Sequence, residues 1–128
     1  MAKIDRQKVY DKCNGHCGYC GKEITLKQMQ VDHIQAHWHS MSESDAQRVG
    51  ITKGSHDLDN LMPTCARCNK WKSTWTVEQF RREISLQVKR LNEYSPGYRL
   101  AKDFDLIDEN LNEVVFYFEV LQDLYGET

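Results

Sequence analysis

Hydrophobic side chains recur along this chain of 128 residues in short groups that are separated by polar segments. Residues 3–13 have the spacing of a short helix, for which Asp5 is the expected N-cap and Asn14-Gly15 the expected end. Residues 28–34 alternate between apolar and polar side chains, and this period of two predicts a β-strand. The chain is therefore expected to begin with a helix that is followed by a strand.

A second strand and a second helix are predicted further along the chain. Leu61-Met62 is short and apolar, and the Pro63 that follows it is expected to end the strand. Thr64 then stands where a cap is needed, before a helix that opens at Cys65. The preceding residues 35–59 are polar, and a loop of this length in a compact domain is usually functional or disordered.

The clearest periodic pattern covers residues 77–94 and predicts one continuous helix. Its apolar positions are three or four residues apart and share one face: Val77, Phe80, Ile84, Val88 and Leu91. Thr76 and Gln79 have the spacing of a capping box, and Ser95-Pro96-Gly97 is expected to end the helix. The polar side carries four basic residues, which favour a surface that faces DNA: Arg81, Arg82, Lys89 and Arg90.

The last part of the chain has a less regular pattern. Residues 98–107 are compatible with a helix. Residues 114–120 are β-branched and aromatic, which favours a strand. A helical stripe also fits this region, through Leu111, Val114, Val115, Phe118 and Leu121. Of the two, we expect the strand.

Charge divides the chain into two unequal parts. The formal net charge is −2, yet residues 1–100 carry 16 basic and 11 acidic side chains, and residues 101–128 carry one basic and eight acidic. This asymmetry is typical of a basic body with an acidic tail. No apolar run approaches the roughly 20 residues of a membrane helix, and the N-terminus has no apolar signal segment, so a soluble cytoplasmic protein without a membrane partner is expected.

The cysteines carry the most specific signal. Four of the five form two C-x-x-C pairs, Cys17 with Cys20 and Cys65 with Cys68, and two distant pairs are the ligand set of a tetrahedral zinc site. A redox motif needs only one pair in a βαβ context, and nothing indicates the oxidising compartment of a disulfide framework. The remaining Cys13 is predicted to be a buried core thiol.

Zinc binding by these four thiolates draws together residues that are far apart in the sequence. The segment between the two pairs is then folded into a compact unit of two strands and a helix. In that unit Asp32, His33, Asn60 and Asn69 can converge on one point. Such a group of a carboxylate, an imidazole and two amides can hold a cation and move a proton.

Four short motifs in this region resemble those of the zinc-containing HNH endonucleases of the ββα-metal fold. In chain order they are Cys17-x-x-Cys20, Val31-Asp32-His33-Ile34, Asp59-Asn60-Leu61 and Cys65-x-x-Cys68-Asn69-x-x-Lys72. The match covers about residues 13–75. We therefore expect an α+β fold, with a small zinc-stabilised core, an N-terminal helix, a following amphipathic helix and an acidic C-terminal α/β extension. Residues 1–95 would form the nuclease domain, and residues 96–128 the extension packed on or beside it.

The resemblance implies a metal-dependent endonuclease, of phage or bacterial kind, that hydrolyses DNA phosphodiester bonds. His33 would be the general base, oriented by Asn60 through a backbone carbonyl. Asp32 and Asn69 would hold one catalytic cation, Mg²⁺ or Mn²⁺, and structural Zn²⁺ would occupy the four cysteines. Three basic residues would engage the DNA backbone: Arg67, Lys70 and Lys72.

Two positions depart from the pattern of the family. Ala36 stands where the family commonly has proline, and Asn69 replaces the last histidine. Because asparagine offers a neutral carbonyl oxygen, the cation is expected to be held more weakly and to be a hard ion such as Mg²⁺.

Several alternatives stay open at this point. The unit could be a catalytically silent zinc module that binds DNA or a protein, although a scaffold has no need of the adjacent Asp32 and His33. The acidic segment could serve a protein partner, and cleavage of both strands would need a homodimer or two binding events. His37, His39 and His56 are either solvated loop residues or ligands of the metal or phosphate.

Overall fold

A computed structural model describes residues 3–35 and 55–125 of the chain. In order, its elements are α1 (Arg6–Lys12), β1 (Gln30–His33), a 3₁₀ turn (Leu58–Asn60), β2 (Leu61–Thr64), α2 (Ala66–Lys72), α3 (Val77–Ser85), α4 (Gln87–Tyr94), α5 (Pro96–Asp103) and α6 (Tyr117–Tyr125). The mixed helix-and-strand class predicted from the sequence is confirmed. None of the helices in the two described ranges is long and apolar enough to cross a lipid bilayer.

The first helix begins and ends where its sequence predicts. The carboxylate of Asp5 caps α1 by accepting hydrogen bonds from the backbone N–H groups of Gln7 and Lys8. Past its end, Asn14 and Gly15 have φ angles of 55° and 79°, the left-handed conformation that asparagine and glycine adopt most readily.

The two predicted strands pair as an antiparallel hairpin. Asp32 lies opposite Met62, and His33 lies opposite Leu61. Pro63 does not end β2 as expected, because a two-stranded sheet has only edge strands and there a missing N–H is tolerated. Its carbonyl oxygen accepts a hydrogen bond of 2.8 Å from the backbone N–H of Gly18, which joins the hairpin to the first cysteine pair.

The prediction that Thr64 caps the second helix is wrong. Thr64 is the last residue of β2, and its hydroxyl donates to the carbonyl oxygen of Gln30 on the paired strand at 3.2 Å. The cap of α2 is Cys65, whose sulfur accepts the backbone N–H of Cys68 at 3.4 Å. The helix cap is thus one of the residues predicted to bind zinc.

The helix predicted over residues 77–94 is two helices. The capping box at its start is confirmed, with Thr76 and Gln79 each accepting the other's backbone N–H. The break falls at Leu86, whose N–H is shared among three carbonyl groups and whose ψ is −6°, so the chain turns between α3 and α4. Phe80 on α3 is buried, whereas α4 has no buried residue.

Ser95 ends α4 and also begins the next helix. Its hydroxyl accepts the backbone N–H of Tyr98 at 3.2 Å, and Pro96 occupies the first position of α5, where its fixed φ is favourable. The predicted helix end at Ser95-Pro96-Gly97 is confirmed, and a further helix, α5, begins there at once. α5 accounts for the first part of the helix predicted over residues 98–107.

The strand predicted over residues 114–120 is wrong, because α6 begins at Tyr117. Phe116 is buried against the rings of Tyr19 and Phe80, at centroid distances of 5.1 and 5.5 Å. The backbone N–H groups of Tyr117 and Phe118 donate to the carbonyl oxygens of Tyr19 and Gly18, at 3.0 and 2.8 Å. These donors, which a strand would offer to another strand, are thus bound to the segment between Cys17 and Cys20. The division of the chain at residue 95 stays a prediction.

Three of the four basic residues on the polar side of residues 77–94 pair with carboxylates. The Arg81 guanidinium contacts Glu119 at 2.6 Å and Glu78 at 2.9 Å, and it lies 4.8 Å from the centre of the Phe116 ring. Arg90 contacts Glu83 at 2.6 Å, and Lys89 lies 3.9 Å from Glu93. These pairs engage three of the four basic residues named for this face, so it is a weaker candidate for a DNA-binding surface than the sequence suggests.

Replacing Glu119 with glutamine tests how the C-terminal segment is held. The Arg81 hydrogen bonds lower the pKa of Glu119 from its ordinary 4.5. The ion pair therefore stabilises the fold above pH 4.5, and its contribution is lost as the pH falls through the lowered pKa. At pH 7 we expect Glu119→Gln to reduce the free energy of unfolding by about 1 kcal/mol, as measured by urea denaturation.

The difference from wild type should shrink as the pH is lowered below 4.5. Glu78→Gln is the matched control, because Glu78 contacts the same guanidinium but its side chain is 76% exposed. Equal losses in the two variants, or a difference that does not depend on pH, would contradict the proposed contribution of Glu119.

Candidate metal centre and active site

Four cysteines form a compact cluster of sulfur atoms. The Sγ atoms of Cys17, Cys20, Cys65 and Cys68 all lie within 4.8 Å of one another. Four thiolates at Zn–S distances near 2.3 Å place their sulfurs about 3.8 Å apart in a tetrahedron. The 3.9 Å between Cys20 and Cys65 fits that geometry. The cluster could therefore hold a structural zinc ion, which agrees with the ligand set predicted from the two C-x-x-C pairs.

The first cysteine pair is held by close contact with the hairpin. A Cβ atom on Gly18 would lie 2.2 Å from the sulfur of Met62, so only glycine allows this approach. The backbone N–H of Cys17 donates to the carbonyl oxygen of Lys22 at 2.7 Å, which closes the turn around the pair. The second pair reaches the cluster from the start of α2, where Cys65 is the cap.

The thiols of the cluster do not titrate alike. The pKa of Cys17 is lowered to about 4, because its sulfur accepts hydrogen bonds from the Cys68 thiol and from neighbouring backbone N–H groups. The pKa of Cys68 is raised, first by donating that hydrogen bond and then by burial. Binding of a cation by the cluster is thus coupled to release of the proton that Cys68 carries. Cys13 lies outside the cluster and is buried, as predicted, and burial raises its pKa to about 11.

Asp32 is buried in an internal ion pair. Its side chain is 3% exposed, and the Lys72 ammonium lies 3.2 Å from Oδ1 and 3.1 Å from Oδ2. The hydroxyl of Tyr19, which lies between Cys17 and Cys20, donates to Oδ2 at 2.7 Å. Burial raises the pKa of Asp32, and the hydrogen bond from Tyr19 and the charge of Lys72 oppose that shift.

Lys72 lies inside the protein and not on a surface that DNA could reach. Its side chain is fully buried, and besides Asp32 its ammonium donates to the carbonyl oxygens of His33 and Ile34, at 3.2 and 3.4 Å. This placement replaces the backbone contact to DNA expected from the sequence. The physical reason is its position on the side of α2 that packs against β1, where an acceptor cluster satisfies all three N–H donors. Arg67 and Lys70 are exposed on the same helix.

Asn69 lies on the same side of the hairpin as Asp32 but bonds to a different partner. Its amide nitrogen donates to Oε1 of Gln30 at 2.7 Å. Gln30 and Asp32 are two positions apart on β1 and therefore share a face, and Asn69 is three residues before Lys72 on α2. The structure thus brings the carboxylate of Asp32 and the amide of Asn69 onto one face, each held by its own neighbour.

His33 lies at the end of β1 and contacts a second histidine. Nε2 of His33 is 2.8 Å from Nδ1 of His56, and the ring centroids are 4.9 Å apart. The sequence alone does not indicate this contact, because His56 lies 23 positions after His33 in the chain, and the role of His56 was therefore left open. His37 and His39, like Ala36, lie outside the described residues.

Asn60 connects the two segments that carry these histidines. Its side-chain oxygen accepts the backbone N–H of Gln35 at 2.8 Å, and its amide nitrogen donates to the carbonyl oxygens of Gln35 and Ser55, at 3.1 and 2.8 Å. Its own carbonyl oxygen accepts the backbone N–H of Ile34 at 2.8 Å. Asn60 therefore fixes the backbone just after His33 and just before His56.

Comparison with known proteins matches the part of the chain that contains the cysteine cluster and the hairpin. Residues 17–74 match the family model described as HNH endonuclease. Over 81 residues the chain is 28% identical to a protein of Bacillus subtilis (strain 168) named "SPbeta prophage-derived putative HNH endonuclease YoqL". That match covers 62% of this chain and 33% of the length of the relative.

A zinc-type cysteine cluster, an antiparallel hairpin and a following helix make up the segment that the family comparison matches. Residues 17–74 are an HNH endonuclease family domain, and the family predicted from the four motifs is confirmed. The helices that precede and follow this segment lie outside the family match.

Replacing Cys65 with serine tests the cysteine cluster. Serine keeps a side chain that can cap α2 but removes one thiolate ligand. We expect the variant to lose bound metal and to unfold, since structural zinc sites supply on the order of 10 kcal/mol of folding free energy. Metal content by atomic emission and thermal unfolding by circular dichroism measure the two effects.

Cys13→Ala is the control, because Cys13 is a buried cysteine outside the cluster. It should keep the metal content of the wild type even if its unfolding midpoint falls. A Cys65→Ser protein that is folded and free of metal would show that the cluster does not hold the fold together.

Proposed function

We propose that this protein is a metal-dependent endonuclease that hydrolyses phosphodiester bonds of DNA. The observation that carries the proposal is the position of His33. Its imidazole lies at the end of the hairpin, next to Asp32 in the chain, in a segment that belongs to the HNH endonuclease family. The side chain of Asn60 fixes the adjoining backbone.

His33 acts as the general base. Imidazole titrates near neutral pH, so it can take a proton from a water molecule that attacks the phosphorus in line with the leaving oxygen. Arg67 and Lys70, which are exposed on α2, contact the phosphate backbone of the bound DNA. Lys72 has a different role: it holds Asp32 and the backbone after His33 in place.

Zn²⁺ occupies the four-cysteine cluster and stabilises the fold. Asp32 and Asn69 hold one catalytic cation, Mg²⁺ or Mn²⁺, for which their oxygen atoms are suitable donors. When bound, this cation neutralises charge that develops on the scissile phosphate and stabilises the leaving 3′ oxygen. Asn69 bonds to Gln30 through its nitrogen, and that contact does not use its oxygen. Asp32 must release or share one contact with Lys72 or Tyr19 to serve as a ligand.

One observation favours a second candidate function, a catalytically silent module that binds DNA or a protein. The Lys72 ammonium already neutralises the Asp32 carboxylate in the interior of the protein, so this carboxylate has a structural partner without any cation. A plasmid-nicking assay with Mg²⁺ and Mn²⁺ separates the two functions. Inactivity of folded, metal-loaded protein with both ions would favour the module.

The variant His33→Ala tests the general base. We expect the nicking rate to fall by about a hundredfold or more, which is the usual effect of losing a general base. The thermal unfolding midpoint should stay near that of the wild type, since His33 is only half-buried.

His16→Ala is the matched control, because His16 is also half-buried but its ring bonds to the carbonyl oxygen of Asn14 in the first turn. It should cleave at the wild-type rate. If His33→Ala instead unfolds at a much lower temperature, the role of His33 is structural and the proposed mechanism is wrong.

The variant Asn69→Asp tests the catalytic cation. A second carboxylate on this face should bind a hard cation more tightly, so we expect cleavage to reach half its maximal rate at a lower Mg²⁺ concentration. The measurement is a titration of nicking rate against Mg²⁺, paired with direct cation binding by calorimetry.

Asn112→Asp adds the same charge at an exposed position in the C-terminal segment. Its Mg²⁺ titration should match that of the wild type. Identical titrations for Asn69→Asp and the wild type would remove Asn69 from the cation site.

A further inference from the structure

We propose that the chain presents a docking surface for a basic, apolar segment of another protein. This surface lies at the end of α5 and on the connection between α5 and α6, outside the segment 17–74 that matches the HNH family. Three apolar and three acidic side chains, all exposed, make up this acidic-apolar surface: Phe104, Leu106, Leu111, Asp103, Asp105 and Asp108. None of them belongs to the candidate active site.

Large apolar side chains are most exposed in this part of the molecule. Among the side chains that the structure describes, every large apolar one that is at least 60% exposed lies between residues 94 and 124. Phe104, Leu106 and Leu111 are 70%, 77% and 80% exposed. An apolar patch with a polar rim is typical of an interaction site, whereas single exposed apolar side chains are ordinary.

The end of α5 holds several of these apolar groups close together. The backbone N–H of Phe104 donates to the carbonyl oxygen of Leu100 at 3.1 Å, so these two exposed residues are one helical turn apart on the same side of α5. The backbone N–H of Leu106 donates to the carbonyl oxygen of Ala101 at 2.9 Å, across Asp105 with a φ of 60°. This is a Schellman turn, which folds the backbone at Leu106 back onto the last turn of the helix.

Glu109 fixes the connection that follows this turn. Its carboxylate accepts hydrogen bonds from Asn92 on α4 at 2.6 Å and from Tyr98 on α5 at 2.9 Å, and it lies 3.0 Å from the ammonium of Lys102. Leu111 follows two positions later and is exposed. Because the connection is held against two helices before any partner binds, docking costs less conformational freedom than it would on a loose segment.

The charges of this surface select the kind of partner. Residues 103–113 carry five acidic side chains and no basic one. Glu109 pairs with Lys102, whereas the other four carboxylates of this stretch pair with no cation among the described residues. Lysine and arginine side chains of a partner would supply the missing opposite charges, and its apolar side chains would cover the exposed leucine and phenylalanine groups. A basic amphipathic helix combines both features.

The same charges disfavour two other occupants. DNA and anionic lipid would be repelled by the unpaired carboxylates. In a symmetric dimer the same surface meets itself, so two sets of acidic side chains would face each other. A basic segment of a different protein is therefore the occupant that fits.

A synthetic amphipathic helix of leucine and lysine is the probe for this surface. Fluorescence anisotropy measures binding of the labelled peptide to the full-length protein that carries metal in its cysteine cluster. We expect saturable binding of equimolar peptide, and the affinity should fall as salt is added, because salt screens exposed charges. A peptide in which every lysine is replaced by glutamate should not bind.

Substitutions on the surface locate the binding. Leu106→Ser removes an exposed apolar group, and we expect Kd to rise roughly tenfold or more, as at other apolar anchors of an interface. The double variant Asp105→Asn, Asp108→Asn should weaken binding and reduce its dependence on salt, and asparagine tolerates the positive φ of Asp105. Leu124→Ser is the matched control, because Leu124 is 67% exposed but lies on α6. It should bind as the wild type does.

Several results would overturn the proposal. They are equal affinity for the lysine and glutamate peptides, equal affinity of Leu106→Ser and Leu124→Ser, and absence of binding. In analytical ultracentrifugation, a wild-type dimer that Leu106→Ser converts to a monomer would instead assign the surface to a second copy of the chain. Peptide binding needs no DNA cleavage, so these measurements decide the docking surface whether or not the protein is a nuclease.

Discussion

The meeting of four cysteine sulfur atoms at one point is the constraint on which the rest of the structure depends. Four thiol groups lie within 4.8 Å of one another, and as thiolates they would repel strongly without a cation among them. The two pairs are about 45 residues apart in the chain, so their meeting closes a long loop. A hairpin of two four-residue strands is marginal by itself. A cation held by the four cysteines would cross-link the ends of this loop and supply stability that so small a sheet lacks.

A chain of buried contacts runs from this cluster to the candidate base. Tyr19, between Cys17 and Cys20, donates to Asp32, and Asp32 pairs with Lys72. Lys72 in turn donates to the carbonyl oxygen of His33. Removing one partner from a buried ion pair leaves an uncompensated charge and is strongly destabilising, so these residues depend on one another. The backbone of His33 is thus coupled to the cysteine cluster through three side chains.

The features that could be predicted from the sequence are those with a local signature. The cysteine spacing predicted the cluster. The cap residue Asp5 predicted the start of the first helix, and the capping box of Thr76 and Gln79 predicted the start of α3. The errors arose where distant contacts decide the outcome. Aromatic and β-branched composition favoured a strand near residue 116, but the acceptors there belong to Gly18 and Tyr19, about a hundred positions earlier.

Contacts between distant residues also determine the features of the candidate site that the sequence could not assign. Lysine is usually exposed, and only the packing of α2 on β1 shows that Lys72 faces an internal carboxylate. His56 meets His33 across a connection of 23 residues, and no local pattern encodes the path of such a connection. The motif residues themselves were recognisable because their spacing along the chain is fixed by the chemistry that they perform.

The position of Phe116 has a consequence for biosynthesis. Its ring completes an aromatic cluster with Tyr19 and Phe80. Next to it, the backbone N–H groups of Tyr117 and Phe118 donate to carbonyl oxygens between Cys17 and Cys20. A nascent chain that has emerged from the ribosome only as far as residue 74 carries every candidate catalytic group but lacks Phe80 and Phe116, so it leaves this aromatic cluster open. Final packing around those groups thus waits for the last part of the chain to emerge, and a partly translated polypeptide remains incompletely folded until then.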